Sequence, residues 1–324
     1  MILYIQCCQK FGVHMKNFLI INKIAGKGNG EEIVRKQLDE LDIELKQQHE
    51  FIPLVTTRPK EAIQLVKSLC KEYAHEEINV FACGGDGTCF EIANGLVGHT
   101  NVHMGVIPVG SCNDFLKSFP DYDFISIKKQ LLGTNQLIDI LKVDHEYAIN
   151  VANFGFDAKS NYDQVRYRKR LKNVKKAYNL ALLKNILSPK LGDQIQVKVD
   201  GKTIFNGKAL LLSVANAMYY GGGYKCSPLA LVDDGILDVV VVKKVFPLTF
   251  LRLVKYYKRG DHLTNPRFAK MLVYKTGKQV EITAMKRNVY GCLDGETRIR
   301  NHFHVSIVEK GVSFILPKKD EEMK

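Results

Sequence analysis

Short apolar runs alternate with amphipathic stretches in the first part of the chain. Four runs have the length and composition of buried strands, at 18–21, 51–55, 78–83 and 104–107. Apolar residues recur every three or four positions in three intervening stretches, at 31–48, 61–73 and 88–96. Strands that alternate with helices are typical of a doubly wound, mostly parallel, Rossmann-like sheet. Ligands of such a sheet bind beyond the carboxyl ends of its strands.

The pattern changes beyond about residue 143, where strand-length runs follow one another. Six of these runs lie at 147–153, 194–199, 209–215, 237–242, 271–274 and 279–283. Turn signals such as Asp200-Gly201 and Asp234-Gly235 separate them. Helical spacing returns at about 168–187 and 247–258. This part is predicted to be an antiparallel sandwich or barrel with two helical insertions.

These patterns divide the chain of 324 residues into four parts. We predict an N-terminal extension at 1–14, an α/β nucleotide-binding domain at 15–143, a β-rich substrate domain at 144–317 and a disordered tail at 318–324. Eight cysteines without a CxxC pair favour a reducing compartment. No apolar run approaches the roughly 18 residues of a membrane span, so a cytoplasmic protein is expected.

Composition and charge narrow the class of partner. Hydrophobic residues make up 46% of the chain and charged residues 25%, which excludes a disordered or collagen-like protein. The formal net charge is +13. Such a charge favours an anionic partner, namely a nucleotide, a nucleic acid or an acidic membrane.

The strand at 78–83 runs directly into a glycine-rich turn, Gly84-Gly-Asp-Gly-Thr88. Three glycines let the backbone turn sharply and approach a bulky anion without Cβ clashes. The N–H groups of the turn and of the following helix would then point at phosphate oxygens. Asp86 could hold a magnesium ion between the phosphates. A turn whose Asp and Thr only cap the helix is the alternative explanation.

Two further polar loops follow strands and are expected at the same edge of the sheet. The loop at 22–30 is basic and glycine-rich, but it matches neither the Walker A pattern nor the dinucleotide fingerprint. The loop at 108–115 offers the hydroxyl of Ser111, the amide of Asn113 and the carboxylate of Asp114. Each loop alone is a weak signal, whereas three at successive strand ends predict a phosphate-binding site.

These loops belong to a longer series of motifs. In chain order the series is Gly84-Gly-Asp-Gly-Thr88, Pro108-x-Gly-Ser-x-Asn-Asp-Phe115, Asn153-x-Gly-Phe-Asp-Ala158, Tyr220-Gly-Gly-Gly223, Asp233-Asp-Gly-x-Leu-Asp238 and Leu293-Asp-Gly-Glu296. The series resembles the bacterial diacylglycerol kinase type of lipid kinase, which is related to sphingosine kinases. The resemblance extends over about 17–317. It implies an N-terminal domain like that of NAD kinases and phosphofructokinases, and a C-terminal antiparallel β-sandwich.

The resemblance also implies an activity and a set of site residues. The activity is ATP-dependent phosphorylation of a lipid hydroxyl, foremost that of diacylglycerol to give phosphatidic acid, in a cleft between the two domains. Glu296 would be the catalytic base, and Asp86 would contact the magnesium ion bound to the nucleotide. The implied nucleotide contacts are Asn22, Gly26, Thr57, Gly84, Gly85, Asp86, Gly87, Thr88, Phe90 and Ser111.

A second, structural Mg²⁺ is implied by the same resemblance. Its ligands would be the carboxylate of Asp234 and the main-chain carbonyls of Leu231 and Ile236. Asp-Gly is also the common two-residue hairpin turn, so a purely structural role stays open for Asp234-Gly235 and for Asp294-Gly295. The family usually has Asn at the position of Phe90 and Thr at that of Ser111.

The segment 159–190 carries ten cations and one acid, so it contributes +9 to the net charge. Apolar residues recur in it at helical spacing, at Leu171, Val174, Tyr178, Ala181 and Leu182. Each cation close to an anionic leaflet contributes about 1 kcal/mol to binding. We therefore expect the protein to meet its lipid substrate at an anionic membrane surface through this segment. A helix that packs on its own domain is the alternative.

Two other functions compete with a lipid kinase. A soluble NAD kinase would use the same glycine-rich turn, but it would not require the basic amphipathic segment. A catalytically idle regulator that binds nucleotide or membrane would need no base, whereas the chain has both Asp86 and Glu296. A nucleic acid is not an expected partner because no recognition motif accompanies the charge. A homodimer formed through strands of the β-rich half is compatible with the pattern.

Overall fold

The computed structural model describes residues 14–110, 112–171, 174–188 and 191–322. The chain forms two compact units. The first comprises 1–113, 119–138 and 311–324, and the second comprises 114–118 and 139–310. The predicted extension at 1–14 therefore lies, except for His14, outside the described residues.

The first unit contains a parallel sheet of five strands. They are β1 (Met15–Asn22), β2 (His49–Thr56), β3 (Ile78–Gly84), β4 (Val102–Pro108) and the end of β17 (His302–Leu316). Their order is β2-β1-β3-β4-β17, and every neighbouring pair is parallel. The doubly wound parallel sheet predicted from the sequence is thus confirmed.

Helices connect these strands and cover the sheet. They are α1 (Gly30–Asp39), α2 (Ile43–Gln48), α3 (Glu61–Glu72), α4 (Asp86–Leu96) and α5 (Ile127–Leu131). The single helix predicted at 31–48 is two helices, because the extended backbone of Asp42 interrupts it. Val34 and Leu45, one from each, pack with Phe81 in the same apolar cluster.

Parallel pairing brings the carboxyl ends of the strands to one edge of the sheet. Asn22 at the end of β1 lies opposite Thr56 at the end of β2. Gly84 at the end of β3 lies opposite Pro108 at the end of β4. The polar loops after these strands therefore start side by side, as the sequence predicts.

The second unit is built from antiparallel strands. They are β5 (Thr134–Val143), which enters it from the first unit, β6 (Glu146–Ala148), β7 (Val151–Gly155), β8 (Asp193–Val199), β9 (Lys202–Ala215), β10 (Tyr219–Tyr220), β11 (Tyr224–Lys225), β12 (Leu237–Lys243), β13 (Leu272–Gly277), β14 (Gln279–Ala284), β15 (Val289–Leu293), β16 (Glu296–Arg300) and the start of β17. The long strand β9 pairs with β8 at its beginning and lies between β7 and β12 at its end. The predicted antiparallel β-sandwich is confirmed.

Three helices belong to the second unit. They are α6 (Phe156–Leu171), α7 (Val174–Ile186) and α8 (Pro247–Arg259). The helix predicted at 168–187 thus starts earlier and is two helices, with 172 and 173 outside the described residues. Single turns of 3-10 helix occur at Ala25–Gly28, Phe115–Ser118, Asp261–Leu263, Pro266–Phe268 and Asp320–Glu322.

The end of the chain departs from the predicted domain plan. The last strand pairs with β14 at its start, and its Ser313 and Phe314 pair with β4, so 311–324 belong to the first unit. The tail predicted to be disordered is ordered as far as residue 322. The Lys318 N–H donates to the Lys129 carbonyl at 2.8 Å, and Lys129 pairs with Asp320.

None of the helices in the described part of the chain is both long enough and apolar enough to span a bilayer.

Candidate functional site

The turn between β3 and α4 depends on glycine for two different reasons. A Cβ on Gly84 would lie 2.1 Å from Thr88 Oγ1, so a side chain there would force the turn apart. A Cβ on Gly87 would meet no atom of the protein within 4 Å. The turn is tight at its base and open at Gly87, in the first turn of a helix whose free N–H groups attract anions.

The loop after β1 packs against this turn. Asn22 donates from Nδ2 to Thr88 Oγ1 at 3.4 Å, and its Oδ1 accepts from the Ile24 N–H at 3.1 Å. Gly26 has φ +60°, and a Cβ on it would lie 3.2 Å from the Val109 carbonyl oxygen. The positive φ and the close approach both favour glycine at this position.

The loop after β4 packs against the same turn from the other side. The N–H groups of Val109 and Gly110 both donate to the Gly84 carbonyl, at 3.1 and 2.9 Å. A Cβ on Gly110 would lie 2.4 Å from Gly85 Cα, so the two backbones touch. Asn113 Oδ1 is buried and has no hydrogen-bond partner among the described residues. The three loops therefore form one surface with an unused acceptor beside it.

Four of the predicted nucleotide contacts need separate description. Thr57 is exposed after the end of β2, and its N–H donates to a Glu61 carboxylate oxygen at 2.7 Å. The side chain of Phe90 is only 3% exposed and packs inside the unit, so the structure does not bring it to the loop surface. Ser111 lies outside the described residues. Asp86, the first residue of α4, is half-buried beside Gly85 and Gly87.

The carboxylate of Asp114 has a structural role that the sequence did not reveal. Although it lies in the loop at 108–115, it belongs to the second unit, where one oxygen accepts from the Gly222 N–H at 2.6 Å. It also pairs with Lys117. Gly222 has a positive φ of 83°, within the glycine run of the β10–β11 turn. Asp114 therefore holds that turn.

Glu296 follows the turn of the β15–β16 hairpin in the second unit. The turn residues Asp294 and Gly295 have φ values of +45° and +105°, so the predicted two-residue turn is present. The Glu296 side chain is 49% exposed, and its Oε2 lies 3.8 Å from Arg298 Nη1. Arg298 is held more closely by Glu146, with Nε donating to Oε2 at 2.7 Å. The Glu296 carboxylate is thus available to a ligand.

The neighbouring carboxylate of Asp294 fixes this hairpin. Its two oxygens accept hydrogen bonds from the N–H groups of Ile149, Asn150 and Val151, with shortest distances of 2.6, 3.2 and 2.9 Å. The hairpin is therefore attached through Asp294 to the chain that enters β7. Within the Leu293-Asp-Gly-Glu296 motif, Asp294 is the anchor and Glu296 is the exposed carboxylate.

Asp157, from the Asn153-x-Gly-Phe-Asp-Ala158 motif, is buried beside Tyr220. The Tyr220 hydroxyl donates to Asp157 Oδ2 at 2.6 Å, and the Ala158 N–H donates to Oδ1 at 2.9 Å. Burial raises the pKa of Asp157 to about 6, although these hydrogen bonds act in the opposite direction. Two motifs that are distant in sequence thus share one buried hydrogen bond.

The raised pKa of Asp157 predicts a pH-dependent stability. The ordinary carboxyl pKa is 3.8, so between about pH 4 and about pH 6 the folded state keeps a proton that the unfolded chain has lost. The stabilisation is complete below that window, and about 3 kcal/mol of it is lost as the pH rises through it. The Asp157→Asn variant has no carboxyl group to titrate, so its free energy of unfolding should not show this loss. In urea unfolding, the stability of the variant relative to wild type should therefore rise between about pH 4 and about pH 6. A difference that does not change with pH would contradict the assignment.

The loop around Asp234 offers only oxygen atoms as possible metal ligands. Asp234 Oδ1 accepts from the Ile236 N–H at 3.0 Å, and burial together with the charges of Asp139 and Asp233 raises the Asp234 pKa. The buried Asp139 carboxylate holds the loop by accepting from the Gly235 N–H at 2.6 Å. In the described residues no three His, Cys, Asp or Glu side chains are placed to share a metal ion. A cation here would need main-chain carbonyls, as the predicted ligand set requires.

Comparison with known proteins gives matches over both units. The diacylglycerol kinase catalytic domain model matches 16–143. The model of the YegS C-terminal NAD kinase beta sandwich-like domain matches 150–314.

Relatives of similar length also match. The chain is 28% identical to a diacylglycerol kinase of Bacillus subtilis over 308 residues, which cover 91% of this chain and 95% of that protein. It is 26% identical to a "Probable lipid kinase YegS-like" of an Enterobacter species over 313 residues, 93% and 96% of the two chains. The crystal structure of a diacylglycerol kinase from Bacillus anthracis covers 93% of this chain and 96% of its own, with a TM-score of 0.65 at 21% identity. This last likeness supports the fold.

Proposed function

The chain belongs to the diacylglycerol kinase family of lipid kinases, and we propose that it transfers the γ-phosphate of ATP to the hydroxyl of diacylglycerol. The observation that carries this proposal is the convergence of three glycine-containing loops at one edge of the parallel sheet. Phosphoryl transfer depends mainly on positioning and on neutralising charge, and such a surface serves both purposes.

The loop surface fits a nucleotide. The open side at Gly87 leaves room for phosphate oxygens next to the N–H groups of the first turn of α4. Asn113 Oδ1, which has no hydrogen-bond partner among the residues that the structure describes, would accept a hydrogen bond from the ligand. Asp86 stands next to Gly87, where a carboxylate can share a Mg²⁺ ion with phosphates. Asn22, Gly26 and Thr88 shape this surface through the contacts described above.

A magnesium ion would supply charge neutralisation at the phosphates. For the second ion, the residues that would hold it are Asp234, through its carboxylate, and Leu231 and Ile236, through their carbonyls. The loop fits such an ion because its ligand atoms are oxygens. In addition, the negative charge of Asp139 disfavours ionised Asp234, and a bound cation would offset that repulsion. The role proposed for this second ion is structural.

Glu296 is proposed as the base. Its carboxylate would accept the proton of the lipid hydroxyl as that oxygen forms a bond to the γ-phosphorus, while the bond between the γ-phosphorus and the bridging oxygen breaks and ADP leaves. The exposed position of Glu296 and its loose contact with Arg298 support this role. Asp294 and Asn161 position the hairpin, since Asn161 Nδ2 donates to the Gly295 carbonyl at 2.7 Å.

The nucleotide surface makes a sharp prediction for Gly87. Alanine at this position would contact no protein atom, and it removes a glycine from a helix, so stability should be unchanged or slightly higher. If phosphates occupy the open side, the added methyl group should weaken ATP binding by about tenfold or more. Calorimetric titration with ATP and thermal unfolding test the two effects together. Equal ATP affinity in the variant and in wild type would show that the phosphates do not occupy this position.

We also propose that the segment 159–190 contacts an anionic membrane. In α7 the small side chains of Ala177 and Ala181 are buried, while Leu180, Leu183 and Leu187 are 40%, 55% and 68% exposed. Of the apolar set suggested by the sequence, Leu171 is exposed and Ala181 is buried, so the outward apolar stripe agrees with the prediction only in part. Exposed leucines among cations are typical of helices that lie on a membrane.

The experiment that tests the function is transfer of labelled phosphate from ATP in the presence of magnesium. The acceptors are diacylglycerol, phosphatidylglycerol, a sphingoid base and undecaprenol in mixed micelles, together with free NAD. Label in diacylglycerol is the expected result. Label in another lipid would keep the lipid kinase and replace the substrate. Label in NAD, or ATP binding without transfer to any acceptor, would overturn the proposal in favour of an NAD kinase or a regulator.

A further inference from the structure

Helix α8 presents large apolar side chains to solvent at its beginning. Phe246, Leu248 and Leu251 are 82%, 70% and 57% exposed. Leu248 and Leu251 are three residues apart and therefore share one face, and Phe246 immediately precedes the helix. Single exposed apolar residues are ordinary, whereas three within six consecutive residues form a patch of the kind found at interaction sites.

The opposite face of α8 is firmly attached to the unit. The ring of Phe250 packs edge-on against Phe156 with centroids 5.3 Å apart, and the Tyr257 hydroxyl lies 3.3 Å from Ser213 Oγ. Tyr257 belongs to the core cluster of this unit, and Phe250 packs against that cluster. The exposed patch is therefore held outward.

The charge of α8 is uniform in sign. From residue 239 to residue 260 the sequence contains six cations and no acid. Arg252, Lys255 and Arg259 are exposed and follow Leu248 at spacings of four, seven and eleven residues, so they continue the same outward face. Asp261, just beyond the helix, accepts from Arg259 Nε at 2.9 Å. The face thus consists of an apolar end followed by a basic stripe.

We propose that the outward face of α8 docks on an anionic lipid surface, with the apolar end among the headgroups and the basic stripe over anionic lipids. This deepens the proposed function and rests on it, because a diacylglycerol substrate lies in a membrane. The combination of an apolar edge with cations is the one that binds helices in the plane of a bilayer. A second copy of the chain fits less well, since a two-fold axis would place the basic stripe against itself.

Binding to phosphatidylcholine vesicles, with and without phosphatidylglycerol, tests this surface in the absence of ATP and diacylglycerol. We expect wild type to bind the anionic vesicles. The double variant Arg252→Gln, Lys255→Gln should bind about 25-fold more weakly, since each cation contributes about fivefold. The double variant Leu248→Ser, Leu251→Ser should bind about tenfold more weakly. The matched control is Lys67→Gln, Lys71→Gln on exposed positions of α3, which should stay within about twofold of wild type.

The outcomes separate this proposal from the proposed function. Unfolding midpoints close to wild type show that the α8 variants are folded, and their loss of vesicle binding then supports the docking face. Vesicle binding that is unchanged in both α8 variants overturns it, as does a dimer, seen by sedimentation, that these variants dissociate. Binding through α8 without phosphorylation of any lipid would refute the kinase and leave the docking face standing. Phosphorylation of a short-chain, water-soluble diacylglycerol without α8-dependent binding would refute the docking face alone.

Discussion

Replacement of Glu296 by Gln is expected to lower kcat for phosphate transfer to diacylglycerol by about a thousandfold. Glutamine keeps the size and hydrogen-bonding reach of the side chain but cannot accept the hydroxyl proton. Glu296 is half exposed, and its contact with Arg298 is long, at 3.8 Å. The substitution therefore breaks no buried ion pair. Stability should therefore differ little from wild type. The loss should appear in kcat, since in our proposal ATP binds to the loops of the first unit.

The chain offers a closely matched control for this substitution. Glu281 in β14 is also a glutamate on an antiparallel strand of the second unit, and it lies 3.7 Å from Lys198. Its side chain is 40% exposed, against 49% for Glu296. Glu281→Gln should leave kcat within about twofold of wild type. Single-turnover transfer with calorimetric measurement of ATP affinity compares the two variants. Comparable transfer by wild type and the Glu296 variant would assign proton removal to another group.

That three polar loops start at one edge of the parallel sheet could be predicted from the sequence. Apolar runs located the strands, and parallel strands place their carboxyl ends at one edge, so the loops after β1, β3 and β4 had to start together. The close contacts could not be predicted. That Gly110 touches Gly85, or that Gly26 faces Val109, depends on backbone geometry between loops that are distant in sequence.

Carboxylates show a different limit of sequence reasoning. Asp114, Asp157 and Asp294 each belong to a recognised motif, and each is used as a hydrogen-bond partner within the second unit. A motif states that an acid is required, but only the fold distinguishes an acid that binds backbone N–H groups from one that faces a ligand. Asp114 and Asp157 are buried, where a carboxylate must be hydrogen-bonded, whereas Asp294 is only half-buried and is recognised by its three backbone donors.

The last strands were the main omission in the predicted fold. The alternation in Phe303, Val305 and Ile307 is a readable strand signal that the prediction did not use. The return of Ser313 and Phe314 to the first unit is not readable in the same way, because pairing between residues that are some 200 positions apart leaves no local pattern.

Replacement of Asp294 by Asn is expected to lower the free energy of unfolding by about 3 kcal/mol and to lower kcat as well. The carboxylate accepts from three consecutive N–H groups, at Ile149, Asn150 and Val151, and bonds to a charged acceptor are worth about twice those to a neutral one. Asparagine tolerates the positive φ of this position, so the turn itself stays accessible. One of the three N–H groups would lose its acceptor and face an amide NH2 group, the other two would donate to a neutral oxygen, and the hairpin that carries Glu296 would be held less firmly.

Asp200 distinguishes this positioning role from a general loss of stability. It occupies the same place in the Asp200-Gly201 turn between β8 and β9, has φ +47°, and accepts from the N–H groups of Lys278 and Gln279 at 3.0 and 2.9 Å. Asp200→Asn should cost about 1 kcal/mol and leave kcat unchanged. Urea unfolding and single-turnover transfer, measured well below the unfolding midpoints, give both quantities for each variant. If Asp294→Asn loses stability but transfers phosphate as fast as Asp200→Asn, the hairpin anchor has no part in placing Glu296.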